Sequence, residues 1–243
     1  MKDFKLNIDE MMEKGVHFGH RISKLHPKMK PYVSGVKNTI HIIDLEKTVE
    51  KFGSALKFIE ELITKGGVLL VVGTKIQVRE LVKKFAQECG IPYVSERWLG
   101  GTFTNFDTIL KRIEYYKELE RKKEAGELEK YTKKERIKID KEIQALRIKF
   151  EGIKNMTKLP EAVFILDIKK DELTAKEARR RGVKVIGVCH TNVDPDLTDY
   201  PIPANDDAIS SIQYILEKVA EVIKNTKKRE VAAEERSDLP ESF

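Results

Sequence analysis

Three short apolar runs constrain the fold most: GVLLVVGT (67–74), AVFILDI (162–168) and VKVIGVCH (183–190). Each is rich in Val, Ile or Leu and lacks alternation between apolar and polar residues. A strand with one wet face alternates, whereas a strand covered on both faces does not. These runs therefore predict the buried strands of a parallel sheet. Helical patterns follow two of them. IQVRELVKKFAQECG places Val78, Leu81, Val82 and Phe85 on one face and stops at Gly90, and DELTAKEARRRG ends on cations and Gly182. Strand, helix and strand in repetition imply right-handed crossovers. NTIHII (38–43) and IPYVS (91–95) add two strands, and LEKTVEKFGSALKFIEELITKG and ISSIQYILEKVAEVIK add two helices. The expected fold is α/β, a parallel sheet with helices on both faces in three layers, of Rossmann or flavodoxin-like type.

Between residues 106 and 156 the strand signal disappears. Phe106, Ile109, Ile113 and Tyr116 step by three and four, as do Ile139, Ile143, Leu146, Phe150 and Ile153. A narrow apolar seam on a charged background predicts an antiparallel coiled-coil hairpin. Gly126 interrupts it, and Thr132 with Glu135 forms a capping box that restarts the helix. The organisation expected is an α/β domain over 1–105 and 157–225, an inserted hairpin over 106–156, and a disordered, charged tail over 226–243.

Charge is distributed unevenly. Charged residues are 35% of the chain and its net charge is +6. From Lys14 to Ile43 there are six Lys or Arg and no acid. A solvated face mixes signs, whereas an acid-free basic stretch builds the local positive potential that binds phosphates. The segment HFGHRISKLHPKMKP (17–31) also holds His17, His20 and His26, so a metal site competes with a polyanion site there. Arg21, Lys24, Lys28, Lys30 and Lys37 are the candidate phosphate-contacting residues. Pro27 and Pro31 are expected to keep this arm extended.

Other chemistry finds little support. VVGTKIQ has one glycine where a dinucleotide turn needs three, and it lacks the phosphate-loop pattern. There is no GxSxG elbow and no HExxH helix. Cys89 and Cys189 lie too far apart in sequence for a CxxC pair and suit small buried residues of a reducing compartment. WLGGTFTN (98–105) reads either as an anion-binding turn or as a flexible corner, with Trp98 packed in a core or an interface. CHTNVDPDLTDYPIPANDDAISSI (189–212) is the densest polar cluster. Asp206 and Asp207 open a helix there, and capping explains most of its acids. If it converges with the HFGH segment, His17, His190 and Asp206 would form a divalent-metal site. Hydrogen bonding at the join of arm and core is the other role open to His17 and His20. MKDFKLNIDEMMEK is polar and helical in pattern, unlike a signal peptide, and no apolar run approaches the roughly 20 residues that span a bilayer. A cytoplasmic protein without membrane partners is expected.

The runs GVHFGHRISKLHPKMKPYV and IHIIDLEKT resemble the N-terminal signature of the S2 family of bacterial small-subunit ribosomal proteins. VGTKIQ, YVSERWLGGTFTNFDTI and TNVDPDLTDYPIPANDDAISSI resemble three further signatures of that family, in the same order, and the likeness spans about residues 5–225. It implies a parallel α/β domain with a protruding coiled-coil hairpin, no catalysis and no required cofactor or small-molecule substrate. It also implies binding to small-subunit ribosomal RNA and to neighbouring ribosomal proteins, including the largest, which captures messenger RNA. There are departures. The family usually has Asp where His190 stands, which puts transfer of any metal site in doubt. Ile76 stands where Lys is common, and Leu25 and His26 stand where Trp and Asn are frequent. The competing readings are a metal-dependent hydrolase or nucleotide enzyme on this fold, and an adaptor that binds only proteins through the hairpin.

Overall fold

The computed structural model describes residue 4 and residues 6–237, with side chains through residue 229. In chain order the elements are α1 (Ile8–Glu13), β1 (Phe18–Arg21), β2 (Val33–Lys37), β3 (Ile40–Ile43), α2 (Leu45–Thr64), β4 (Leu69–Val72), α3 (Arg79–Cys89) and β5 (Tyr93–Val94). They continue with α4 (Phe106–Glu124), α5 (Lys133–Phe150), β6 (Ala162–Ile165), α6 (Glu172–Arg180), β7 (Lys184–Cys189), β8 (Tyr200–Pro203) and α7 (Ile209–Ser237).

The three apolar runs form β4, β6 and β7 at the centre of a parallel sheet ordered β5-β4-β6-β7-β8. Alternate residues serve opposite faces, as strand geometry requires. Leu69, Val71 and Phe164 join a core with α2, α3 and α7, while Leu70, Val72 and Val163 join a second core with α4, α5 and α6. This is the expected three-layer α/β arrangement. β8 contains Pro201 and Pro203, which weaken its strand signal in sequence. It lies at the sheet edge, where a missing N–H is tolerated. α3 ends at Gly90 in the left-handed region, with φ of 60°, as a helix C-terminus often does.

Residues 106–153 form two helices, a 3-10 turn between them at Glu127–Lys130, and a final short turn. Lys123, late in α4, pairs with Asp140 in the first half of α5, and the hydroxyl of Tyr116, midway along α4, donates to Glu151 just past the end of α5. The helices are therefore antiparallel, and the Thr132–Glu135 capping box is formed. The expected seam residues pack together, but the seam runs directly into the second core beside Val72 and Ile165. The root of the hairpin is thus part of the layer covering one face of the sheet.

Three expectations are corrected toward the ends of the chain. The segment containing Pro27 and Pro31 is not extended. It forms a 3-10 helix over Pro27–Tyr32, because a proline φ suits that helix and the first turn needs no N–H at Pro27. NTIHII does not join the parallel sheet. Asn38 and Thr39 are a two-residue turn with φ of 49° and 66°, and Ile40–Ile43 is the middle strand of a separate antiparallel sheet ordered β1-β3-β2. At the other end, α7 continues past residue 226, where disorder is expected. Thr226 is buried there, and the Lys227 ammonium donates to the Cys89 carbonyl. Residues 238–243 of that tail lie outside the described residues.

The N-terminal module is held to the body through Thr191. The His20 N–H donates to its hydroxyl at 2.9 Å and the His26 N–H to its carbonyl at 2.8 Å. Gly19 is needed for this approach, since a Cβ there would lie 2.8 Å from both the His41 carbonyl oxygen and Thr191 Cγ2. Met29 is fully buried in the second core and anchors the 3-10 helix.

Candidate nucleic-acid interface and the carboxyl edge of the sheet

The carboxyl ends of parallel strands are the usual ligand position in this fold class. Here that edge is occupied by the protein's own charges. Lys75, just beyond β4, places its ammonium 2.8 Å from Asp167, 2.9 Å from Asp206 and 2.8 Å from Asp207. Asp167 follows β6, and the Asp206–Asp207 pair precedes α7. Burial alone would lower the Lys75 ammonium, but the charge of Asp206 and the hydrogen bonds it donates to all three carboxylates raise it above its ordinary value. Burial, and then the charge of Asp167, push Asp206 up to about 7 against the pull of Lys75. Asp171 joins the network by accepting from the Thr74 N–H and hydroxyl, and burial raises it too. The cluster ties three separate elements together with one cation.

The expected capping by Asp206 and Asp207 is corrected: the side chain that accepts before α7 is Asn205. Its Oδ1 receives the N–H groups of Asp207 at 2.9 Å and Ala208 at 3.3 Å.

The proposed metal triad is not the group that the fold assembles. Ligand atoms of His20, His190 and Asp207 lie within 4.8 Å of one another. His17 instead turns its ring onto Phe18, with centroids 4.1 Å apart, and Asp206 is held by Lys75. The assembled group suits a metal poorly. The Thr191 N–H donates to His190 Nδ1 at 2.7 Å, so the neutral ring carries its proton on Nε2, the nitrogen 3.9 Å from Asp207. That nitrogen is a donor and has no free lone pair. Asp207 Oδ1 is already bound by Lys75. Burial, and then the nearby His20, lower His190 to about 3. Burial also lowers His20, outweighing the opposing pull of Asp207. Hydrogen bonding and stacking where module meets body account for His20 and His190.

The five candidate RNA-contacting residues all lie in the N-terminal module, and all are exposed. Lys28 differs from the rest. Its ammonium sits 2.9 Å from Asp194 and 2.6 Å from Asp196, and its pKa is raised by those partners. It is a strut between module and body. Among the described residues, Arg21, Lys24, Lys30 and Lys37 have no carboxylate within ion-pair distance, which leaves four outward cations.

WLGGTFTN is neither an open anion site nor a loose corner. The buried Glu177 of α6 accepts from the N–H groups of Gly101 at 2.7 Å, Phe103 at 3.0 Å and Thr104 at 3.3 Å. An internal carboxylate thus fills the turn that an external anion would need. Trp98 is buried against Phe103 at 4.8 Å, edge to face.

Lys75, Asp167, Asp171 and Glu177 are absent from the sequence reading. For Lys75 and Asp167 the available signal was position, since residues just after adjacent parallel strands converge at one edge; Glu177, inside α6, carried no such signal.

These features define a three-layer α/β protein whose strand ends are closed by internal ion pairs and whose N-terminal module presents an acid-free group of outward cations. The family model for ribosomal protein S2 matches residues 11–226. The chain belongs to the ribosomal protein S2 family, and is therefore a structural protein of the small ribosomal subunit rather than an enzyme. Among the described residues no helix is long and apolar enough to cross a membrane.

Proposed function

We propose that this small-subunit protein binds ribosomal RNA through its N-terminal module, with Arg21, Lys24, Lys30 and Lys37 as the phosphate-contacting groups. The supporting observation is that these four exposed cations lack carboxylate partners and come from a stretch, Lys14–Ile43, that contains no acid. A cation already paired internally loses much of its value to an incoming phosphate, so Lys28 has a smaller share. The α/β body acts as the platform and brings other small-subunit proteins, including the largest, messenger-capturing one, against the RNA. The role belongs to ribosomes of the cytoplasm and needs no cofactor and no small-molecule substrate.

The test is binding of the purified chain to small subunits lacking this protein, measured across a salt series. Log affinity should fall linearly with log salt, and each phosphate contact removed by an Ala substitution should reduce the slope by about 0.7–0.9. A combined Lys30→Ala and Lys37→Ala variant with the wild-type slope would refute the assignment.

A further inference from the structure

The antiparallel module has an outward face whose composition goes beyond charge. In β3, His41 and Ile43 are buried toward the body, while Ile40 and Ile42 are only partly covered. Cross-strand partners share a face. Ile40 pairs with Arg21 on one side and Lys37 on the other, and Ile42 pairs with Phe18 and Gly35. The face therefore carries two rows, Arg21–Ile40–Lys37 and Phe18–Ile42–Gly35. Phe18 and Arg21 are three apart in β1 and would ordinarily point to opposite sides. The bulge between them brings both onto the same face. Phe18 remains 45% exposed, braced on one side by the His17 ring. Gly35 leaves its corner open, since a Cβ there would meet nothing within 4 Å.

We propose that this face binds an unpaired RNA nucleotide: the base stacks on Phe18 over Ile42 and Gly35, and the flanking phosphates lie against Arg21 and Lys37. The inference rests on the RNA-binding reading above and names the form of RNA taken. Three arguments favour this occupant. The two cations lie on the outer strands, two strand spacings or about 10 Å apart, in a row that runs beside the Phe18–Ile42–Gly35 row, which suits a chain with charge along its backbone and an apolar ring beside it. The segment has no acid to repel that backbone. A duplex hides its bases in a deep groove, so an exposed aromatic on an open sheet serves splayed single-stranded bases better than helical RNA.

The test compares the full-length chain on a ten-nucleotide unstructured oligoribonucleotide and on an RNA duplex with the same number of phosphates, at one salt concentration. The wild type should prefer the single strand by about tenfold. Phe18→Leu, which keeps an apolar group but removes the ring, should abolish the preference, and Phe18→Tyr should retain it. Gly35→Glu projects a carboxylate into open space and should weaken single-strand binding by about tenfold without lowering the melting temperature. A wild type that binds both RNAs equally, or a Phe18→Leu variant that keeps the preference, overturns the inference. So does a Phe18→Leu variant that releases a neighbouring protein from the subunit with RNA binding unchanged, which would give the face to a protein. Intact binding to small subunits alongside any of these results leaves the broader RNA-binding reading standing. Loss of subunit binding by the wild type removes that reading instead.

Discussion

His20 and His190 stack face to face, with ring centroids 3.8 Å apart and planes 5° from parallel. One comes from the N-terminal module and the other from the end of the central strand β7, so the pair joins the two sheets. His190 faces His20, Asp207 and Lys75, and is held neutral by burial. Its folded pKa of about 3 lies below the ordinary 6.5. Below pH 6.5 the unfolded chain gains a proton that the folded chain does not. His190 therefore contributes its full stability above that pH and loses it as pH falls toward 3. Asp206 acts in the opposite sense, because its raised pKa favours the folded state at low pH. The His190 share is thus read as a difference: the advantage of wild type over His190→Asn should narrow by about 2 kcal/mol between pH 7 and pH 5. Paired urea titrations at the two pH values measure it, and a constant gap would mean that His190 is not held neutral.

Lys75 neutralises carboxylates that are themselves buried. Replacing it with Met keeps most of the volume but leaves Asp167 and Asp206 without their cation. The expected loss is about 3–5 kcal/mol at pH 7, the usual result of removing one partner from a buried charge group. The loss should shrink at lower pH as the orphaned carboxylates take up protons. Thermal melts of Lys75→Met across pH provide the measurement, and a loss that grows on acidification would contradict this account.

Glu177 holds the 98–105 loop by accepting three backbone N–H groups. Glu177→Ala should cost about 2–4 kcal/mol, since it orphans buried donors as well as losing the bonds. Hydrogen exchange should accelerate at Gly101, Phe103 and Thr104 ahead of the sheet. Uniform acceleration across the protein would show instead that the loop opens only with global unfolding.

Lys28 and Lys37 should behave differently despite equal formal charge. Lys28→Ala should change the salt slope of subunit binding much less than Lys37→Ala, because Lys28 is already engaged by Asp194 and Asp196. A salt series on the two single variants decides the point, and equal slopes would show that those aspartates release Lys28 on binding.

The central strands were legible because burial on both faces writes itself into composition: Leu69–Val72 and Ala162–Ile165 carry no polar residue. β8 was hidden because Pro201 and Pro203 read as a loop unless one knows that the strand lies at an edge. The 3-10 helix at Pro27 was missed for a related reason, since proline excludes an α-helix but suits the tighter turn. The cations of the site were visible as a run without acids. Their states were not, because Lys28 and Asp194 are 166 residues apart in sequence and meet only in the folded chain. The histidines were seen as a cluster, but which ones converge depends on how the small sheet docks at Thr191.

The shared core of hairpin and sheet sets where this chain tolerates surgery. Shortening the connection around Gly126 removes little that the body relies on. Cutting back to Phe106 and Phe150 would strip one side of the sheet and expose Val72 and Ile165 to water. What looks like an appendage is, at its root, a wall of the house.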